Sequence, residues 1–188
     1  MIRLSHVRVQ YPDKTVFDDL SLTLPDTGAV ALMAPSGYGK TTLLRVLAGL
    51  KPIDAGEIFG LENKRISFLF QEDRLLPWVS AQKNVELVSD ANTAKHWLNQ
   101  MEIPDGNQLP REMSGGMQRR TALARAMAFG GDVLLLDEPF KGLDEALRAR
   151  IAGRIKGKFP LILLSVHDAQ EAELMGARIV RLDEPPSD

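Results

Sequence analysis

Three short stretches of this 188-residue chain carry residues whose kinds and spacing suit the handling of a polyphosphate. The run Ala34-Pro35-Ser36-Gly37-Tyr38-Gly39-Lys40-Thr41 meets the pattern G-x-x-x-x-G-K-[ST] at each required position except the first, where alanine replaces glycine. Glycines in such a loop let successive backbone N–H groups converge on phosphate oxygens. Lys40 supplies a point charge for the β- and γ-phosphates, and the Thr41 hydroxyl suits Mg2+. If the first position needs positive φ, the β-carbon of Ala34 costs on the order of 1 kcal/mol, tolerable for folding but felt in nucleotide affinity.

The second stretch, Val133-Leu134-Leu135-Leu136-Asp137-Glu138, ends a buried strand with two carboxylates. Two adjacent acids in one site need two jobs. Asp137 is suited to hold Mg2+ through its water shell, and Glu138 to polarise a water for in-line attack on a γ-phosphate. The bland alternative, an exposed strand-end pair, loses weight beside the glycine-rich loop. The third stretch, Met113-Ser114-Gly115-Gly116-Met117-Gln118, is a Ser-Gly-Gly turn opening a helix, and a helix N-terminus with a hydroxyl is a second anion site.

These residues need a scaffold, and the apolar patterning supplies one. Residues 2–10 and 16–24 alternate apolar and polar around the turn Tyr11-Pro12-Asp13-Lys14, which predicts two half-buried antiparallel strands. Residues 28–33 form a short apolar run feeding the glycine-rich loop, and 41–50 read as a buried helix closed by Gly49. The runs 133–136 and 161–164 are buried strands separated by a helix over 143–156 with its stripe at Leu143, Leu147, Ile151 and Ile155. That is a βαβ unit, so the core sheet is expected to be mostly parallel and flanked by helices. Residues 73–127 read as an inserted helical subdomain with 103–111 as a connector, and the tail 183–188 ends the fold. The remaining parts, 1–72 and 128–188, are expected to form the nucleotide-binding core with its antiparallel β portion.

Composition narrows the function. With 44% hydrophobic and 26% charged residues the chain is an ordinary globular α/β protein rather than a disordered one. A net charge of −2 gives no bulk reason to bind nucleic acid or anionic lipid. The absence of cysteine excludes disulfides and thiolate chemistry. No apolar run approaches the ~20 residues that span a bilayer, and the polar N-terminus lacks a signal peptide, so a cytoplasmic location is the expectation. His6 and His96 match no motif and read as surface histidines. Arg119, Arg120 and Arg125 read as a solvated face or as intradomain partners for carboxylates.

Taken in order, the motifs resemble the nucleotide-binding domain of ABC transporters over essentially the whole span from Tyr11 to His167. The family signature Leu-Ser-Gly-Gly-Gln is similar to Met113-Ser114-Gly115-Gly116-Met117, with Met113 for Leu and Met117 for Gln. The resemblance implies a P-loop NTPase fold of ABC type and ATP with Mg2+ as cofactors. It assigns Ser36, Gly37, Tyr38, Gly39, Lys40, Thr41 and Thr42 to the phosphates and Tyr11 to the adenine ring. It makes Gln71 the glutamine that contacts Mg2+ and senses the γ-phosphate, and His167 the switch histidine near the γ-phosphate. Thr41, Gln71 and Asp137 would hold the metal.

Asp144, in Pro139-Phe140-Lys141-Gly142-Leu143-Asp144, matches the loop that couples two sites in a head-to-tail dimer. There Ser114, Gly115 and Gly116 of one subunit close over ATP held by Lys40 of the other, the second subunit being an identical chain or a paralogue. The implied partners are integral membrane permease subunits and, indirectly, a solute-binding protein, with the chain peripheral on the inner face of the membrane.

Residues 68–78 most resemble importers of the nitrate, sulfonate and taurine branch. Leu75, Leu76 and Trp78 are read either as a patch facing the membrane partner or as core of the helical subdomain. The segment between Gly56 and Gln71 reads as a trimmed surface sheet. A soluble ABC-type ATPase acting on nucleic acid or ribosomes, and a non-hydrolysing nucleotide-binding regulator, are the other readings. Proteins of the first kind usually show tandem cassettes, long coiled coils or basic extensions, none of which fits in 188 residues, and the intact Glu138 and His167 weigh against the second.

Overall fold

The computed structural model describes residues 1–182; the expectation for the tail 183–188 lies outside the described residues. Strands β1 (Ile2–Tyr11) and β2 (Lys14–Leu24) form a hairpin closed by Pro12 and Asp13. Strand β4 (Ala55–Phe59) pairs with the other side of β1, giving an antiparallel sheet ordered β2-β1-β4. The alternation read in the sequence is real: Ile2, Leu4, Val7 and Val9 are buried, and the bulge at His6 (φ 52°) resets the register between Leu4 and Val7.

The second sheet is wholly parallel. Its strands are β3 (Gly28–Met33), β5 (Ile66–Leu69), β6 (Val133–Asp137), β7 (Leu161–Val166) and β8 (Arg178–Arg181), in the order β5-β6-β7-β3-β8. Every residue of β6 and β7 is buried, as a strand covered on both faces must be. Alternate side chains feed two cores. Val30, Leu32, Val133, Leu135, Leu161 and Leu163 face the antiparallel sheet and helix α1 (Lys40–Leu47). Leu134, Leu136, Ile162, Leu164 and Val166 face the remaining helices.

Those helices are α2 (Ala81–Glu86), α3 (Ala91–Gln100), α4 (Gly115–Phe129), α5 (Glu145–Ile155) and α6 (Ala169–Met175). Each begins on a side chain that accepts backbone N–H groups: Ser80, Asp90, Ser114, Asp144 and Asp168 in turn. The 103–111 connector is present, held by Ala81 N donating to Gln108 O (2.9 Å) and Gln82 N to Gly106 O (2.8 Å). Among the described residues no helix is long and apolar enough to cross a membrane.

Several boundaries differ from the sequence expectation, each for a local reason. Helix α1 starts at Lys40 and stops at Leu47, because the chain turns through Gly49 at φ 70°. Helix α5 starts only after Asp144, since its carboxylate caps Leu147 N (2.9 Å), so Leu143 is buried ahead of the helix rather than in it. The region 56–71 is more than a surface sheet, for β5 within it is the edge strand of the parallel core. Edge strand β8 and the short α6 lack a long apolar run, which is why periodicity does not reveal them.

Candidate active site

Four neighbouring strands of the parallel sheet deliver the candidate residues at their C-terminal ends, where open α/β sheets place ligands. Across the sheet they follow in the order Gln71 after β5, Asp137 and Glu138 at the end of β6, His167 after β7, and the glycine-rich loop after β3.

The loop is shaped by backbone geometry. Gly37 and Gly39 lie at φ 84° and 94°, and a β-carbon on Gly39 would stand 2.6 Å from Val16 Cγ1 and 2.7 Å from Phe17 Cζ. Only glycine fits there. Lys40 opens α1 and is buried; its ammonium donates to Ala34 O (2.6 Å) and Pro35 O (3.4 Å). Lys14 donates to Gly37 O at 3.2 Å, tying the β1–β2 hairpin to the loop. Ser36, Gly37 and Tyr38 are exposed, Thr41 is half-buried and Thr42 is buried. The expected strain at Ala34 is absent: among the described residues the non-glycine positions with positive φ are His6, Asn63, Arg74, Glu102 and Glu138. Position 34 therefore has no need of glycine.

The two carboxylates are held differently. Asp137 is 1% exposed; its Oδ1 accepts the Ser165 hydroxyl at 2.8 Å, while Oδ2 is buried without a partner. Such an orphaned acceptor is expensive unless a ligand satisfies it. Glu138 sits at φ 51°, a strained value for a non-glycine residue and one that clusters at functional sites. Its N–H donates to Ser165 Oγ (2.9 Å). Its Oε1 accepts Gln71 Nε2 at 3.4 Å and lies 3.1 Å from His167 Nε2, while Lys141 Nζ is 3.8 Å from Oε2. Gln71, Glu138 and His167 are thus brought together, with Asp137 joined through Ser165.

Behind His167 stands Glu171, whose Oε2 accepts the His167 N–H at 3.3 Å and whose Oε1 pairs with Arg148 at 3.4 Å. Burial pushes the Glu171 carboxyl above its usual range.

The remaining candidates lie elsewhere. Ser114 caps α4 by accepting Met117 N at 3.2 Å, so its oxygen is engaged while its O–H remains a donor. Gly115 has open space around it, and a β-carbon on Gly116 would stand 3.3 Å from Gly142 O. The Ser-Gly-Gly turn therefore packs on the loop that leads to Asp144. Tyr11 is half-exposed, its ring 5.1 Å from Lys51 Nζ.

Sequence reasoning missed two residues. Ser165 was marked by a polar side chain inside the apolar run of β7, and Lys141 by its place three residues after Glu138. Of the two alternatives for Arg119, a solvated face or an intradomain partner for carboxylates, the second holds: it is 3% exposed, pairs with Asp73 at 2.9 Å and also donates to backbone carbonyls of both the β5 and β6 segments. Arg120 and Arg125 likewise bind carbonyls, of Met101 and Glu102 and of Asp73 and Arg74. They are intradomain partners, though of carbonyls more than carboxylates. Leu75 packs on the core, whereas Trp78 is 72% exposed. His6 and His96 are exposed, pairing with Asp19 and with the Trp97 ring.

Comparison with known proteins agrees with this geometry. The family model described as ABC transporter matches residues 17–141. An aliphatic sulfonates import ATP-binding protein of Pseudomonas savastanoi pv. phaseolicola is 34% identical, covering 97% of this chain and 82% of that one. A protein of the same description from Pseudomonas syringae pv. tomato is 41% identical over 96% and 70%, and one from Zymomonas mobilis 36% over 97% and 82%. The dimeric post-hydrolysis structure of the ATP-binding cassette MJ0796, bound to ADP and Pi, superposes with a TM-score of 0.85 at 25% identity, covering 96% of this chain and 94% of that one. The glycine-rich loop, the carboxylate pair and these relatives lead to one conclusion: this chain belongs to the ABC transporter family, as an ATP-binding and ATP-hydrolysing subunit.

Proposed function

We propose that the chain powers an importer of a small organic anion of the sulfonate class, hydrolysing Mg-ATP at a head-to-tail interface between two cassettes. The observation that carries the reading is the Glu138 carboxylate, held in a strained backbone position between the Gln71 amide and the His167 imidazole. The descriptions of its sulfonate-importing relatives support the solute class.

In this mechanism the N–H groups of residues 36–42 cradle the phosphates, with the Ser36 and Thr42 hydroxyls adding donors, and Lys40 exchanges its carbonyl partners for phosphate oxygens. Tyr11 stacks on the adenine. Glu138 accepts a proton from the attacking water, and His167 orients that carboxylate and meets the γ-phosphate. Ser114, Gly115 and Gly116 close over the opposite subunit's nucleotide, with Asp144 at the junction of the two sites.

The residues present fit Mg2+. The orphaned, buried Asp137 Oδ2 is an oxygen acceptor in want of a partner, and Thr41 and Gln71 add neutral oxygens. Among the described residues no group of three or more His, Cys, Asp or Glu could cage a metal, which suits an ion held chiefly by phosphates and water. Bound there, the ion would neutralise charge on the β- and γ-phosphates.

Residues 1–72 and 128–188 act as the ATP-binding core and 73–127 as a helical subdomain carrying the signature turn. The partner proteins are two membrane permease subunits and a solute-binding protein, with this chain on the cytoplasmic face of the membrane. The test is to isolate the protein from its native cell in mild detergent, with ATP and the Glu138→Gln change. Recovery with an integral membrane protein that transports sulfonates is the expected outcome. Recovery with ribosomes or nucleic acid refutes the reading.

A further inference from the structure

The ladder between β5 and β6 ends at the pair Leu69 and Leu136. Beyond it the two backbones no longer pair, although Glu138 O still accepts Lys141 N at 3.3 Å, and a gap opens between the Phe70-Gln71 and Asp137-Glu138 segments. One side chain fills that gap. Arg119 Nη1 donates to Phe70 O (2.6 Å) and reaches Gln71 O (3.4 Å), while Nη2 donates to Glu138 O (2.8 Å) and to Asp137 O. Asp73 Oδ1 neutralises the same guanidinium at 2.9 Å. The planar fork acts as an extra rung joining the Gln71 segment to the backbone of Glu138, a task for which a lysine point charge is ill suited.

Arg119 also belongs to α4, five residues beyond Ser114, a helical rise of about 7.5 Å. The start of that helix is fixed by Gln118, whose amide donates to Pro110 O and Met113 O. A rigid segment therefore runs from the signature turn to the carbonyl of the residue at strained φ. We infer that Arg119 is a positioning residue: it makes α4, the Gln71 segment and Glu138 move together, so that nucleotide engaged at Ser114 sets the placement of this subunit's own Glu138. The transfer between subunits rests on the head-to-tail reading above; the positioning of Glu138 within one chain does not.

The test compares Arg119→Met and Arg119→Lys, each assembled with the membrane partner. Misplacement of the base by an ångström lowers kcat roughly 100-fold in Arg119→Met, and Arg119→Lys recovers part of that loss. The dissociation constant for a fluorescent ATP analogue stays within about threefold of wild type in both, because no nucleotide contact is removed. Two folded variants with kcat within twofold of wild type overturn the inference. So does a loss of ATP affinity that parallels kcat, or failure of both variants to fold, which makes the residue purely structural. Separately, a Glu138→Gln protein that forms no ATP-dependent dimer removes the transfer between subunits, and the kcat result then still decides the role within one chain.

Discussion

The imidazole Nε2 of His167 lies 3.1 Å from Oε1 of Glu138, although the two residues follow different strands. The contact holds the carboxylate in one orientation at the end of a strand whose next residue is already strained. Changing Glu138 to glutamine preserves shape and removes the base. The expected outcome is ATP binding within a few fold of wild type, hydrolysis lowered roughly 100- to 10,000-fold, and a stable ATP-bound dimer, read by phosphate release and by size-exclusion chromatography. Equal turnover in variant and wild type would remove Glu138 from the role.

Lys40 now spends its ammonium on the carbonyl groups of Ala34 and Pro35. Lys40→Ala leaves those oxygens to solvent and deletes the cation that meets the phosphates. ATP affinity should fall by roughly 10- to 150-fold, given the ~1.5–3 kcal/mol attached to a charge-assisted hydrogen bond, with the melting temperature little changed. Calorimetric titration checks the first and a thermal melt the second.

Ala34 and Gly39 give opposite expectations at two ends of one loop. Ala34→Gly relieves no strain and loosens the unfolded chain, so it should lower stability by about 0.4–1 kcal/mol and leave ATP affinity within twofold. Gly39→Ala forces a β-carbon against Val16 and Phe17 at φ 94° and should lower stability by about 2 kcal/mol or more. Urea unfolding of the two variants distinguishes them. A glycine at 34 that tightened ATP binding would show the alanine to be strained after all.

Burial raises the Glu171 carboxyl above its ordinary 4.5, so folding favours its protonated form. Its contribution to stability is full below that value and is lost as pH rises through the folded value. The melting temperature of Glu171→Gln should therefore gain on that of wild type as pH is raised from below 4.5 toward neutrality. Thermal melts across that window check the sign, and a difference that shrinks contradicts it.

Trp78 stands out of a loop that is otherwise fixed. Asn84 accepts Leu76 N and donates to the carbonyls of Leu76, Val79 and Ser80, and Arg125 holds those of Asp73 and Arg74. An exposed indole on a rigid platform is a natural anchor for a partner. Trp78→Ala should leave the melting temperature within about a degree and weaken assembly with the membrane permease at least tenfold, read by co-purification. Unchanged assembly would return the residue to an ordinary surface position.

Most of this site was legible because its chemistry is carried by short contiguous runs: the loop 34–41, the pair after β6 and the turn at Ser114. The buried strands β3, β6 and β7 were legible for the same reason, since each contains an apolar run of at least four residues. What stayed hidden depends on distant partners. Arg119 and Ser165 act on residues tens of positions away, and no local pattern separates a buried arginine on α4 from its surface neighbours. Edge strands β5 and β8 are only four residues long and become strands through the neighbours that pair with them.

The strand order also imposes a schedule on synthesis. Among the described residues strand β3, which leads into the glycine-rich loop, is bonded only to β7 and β8, and neither is made until residue 161 is reached. At roughly 5–20 residues per second, the phosphate loop emerges from the ribosome several seconds before any strand that can hold it in a sheet. A nascent chain therefore exposes the motif without the scaffold, and ATP capture waits on the synthesis of β7 and β8.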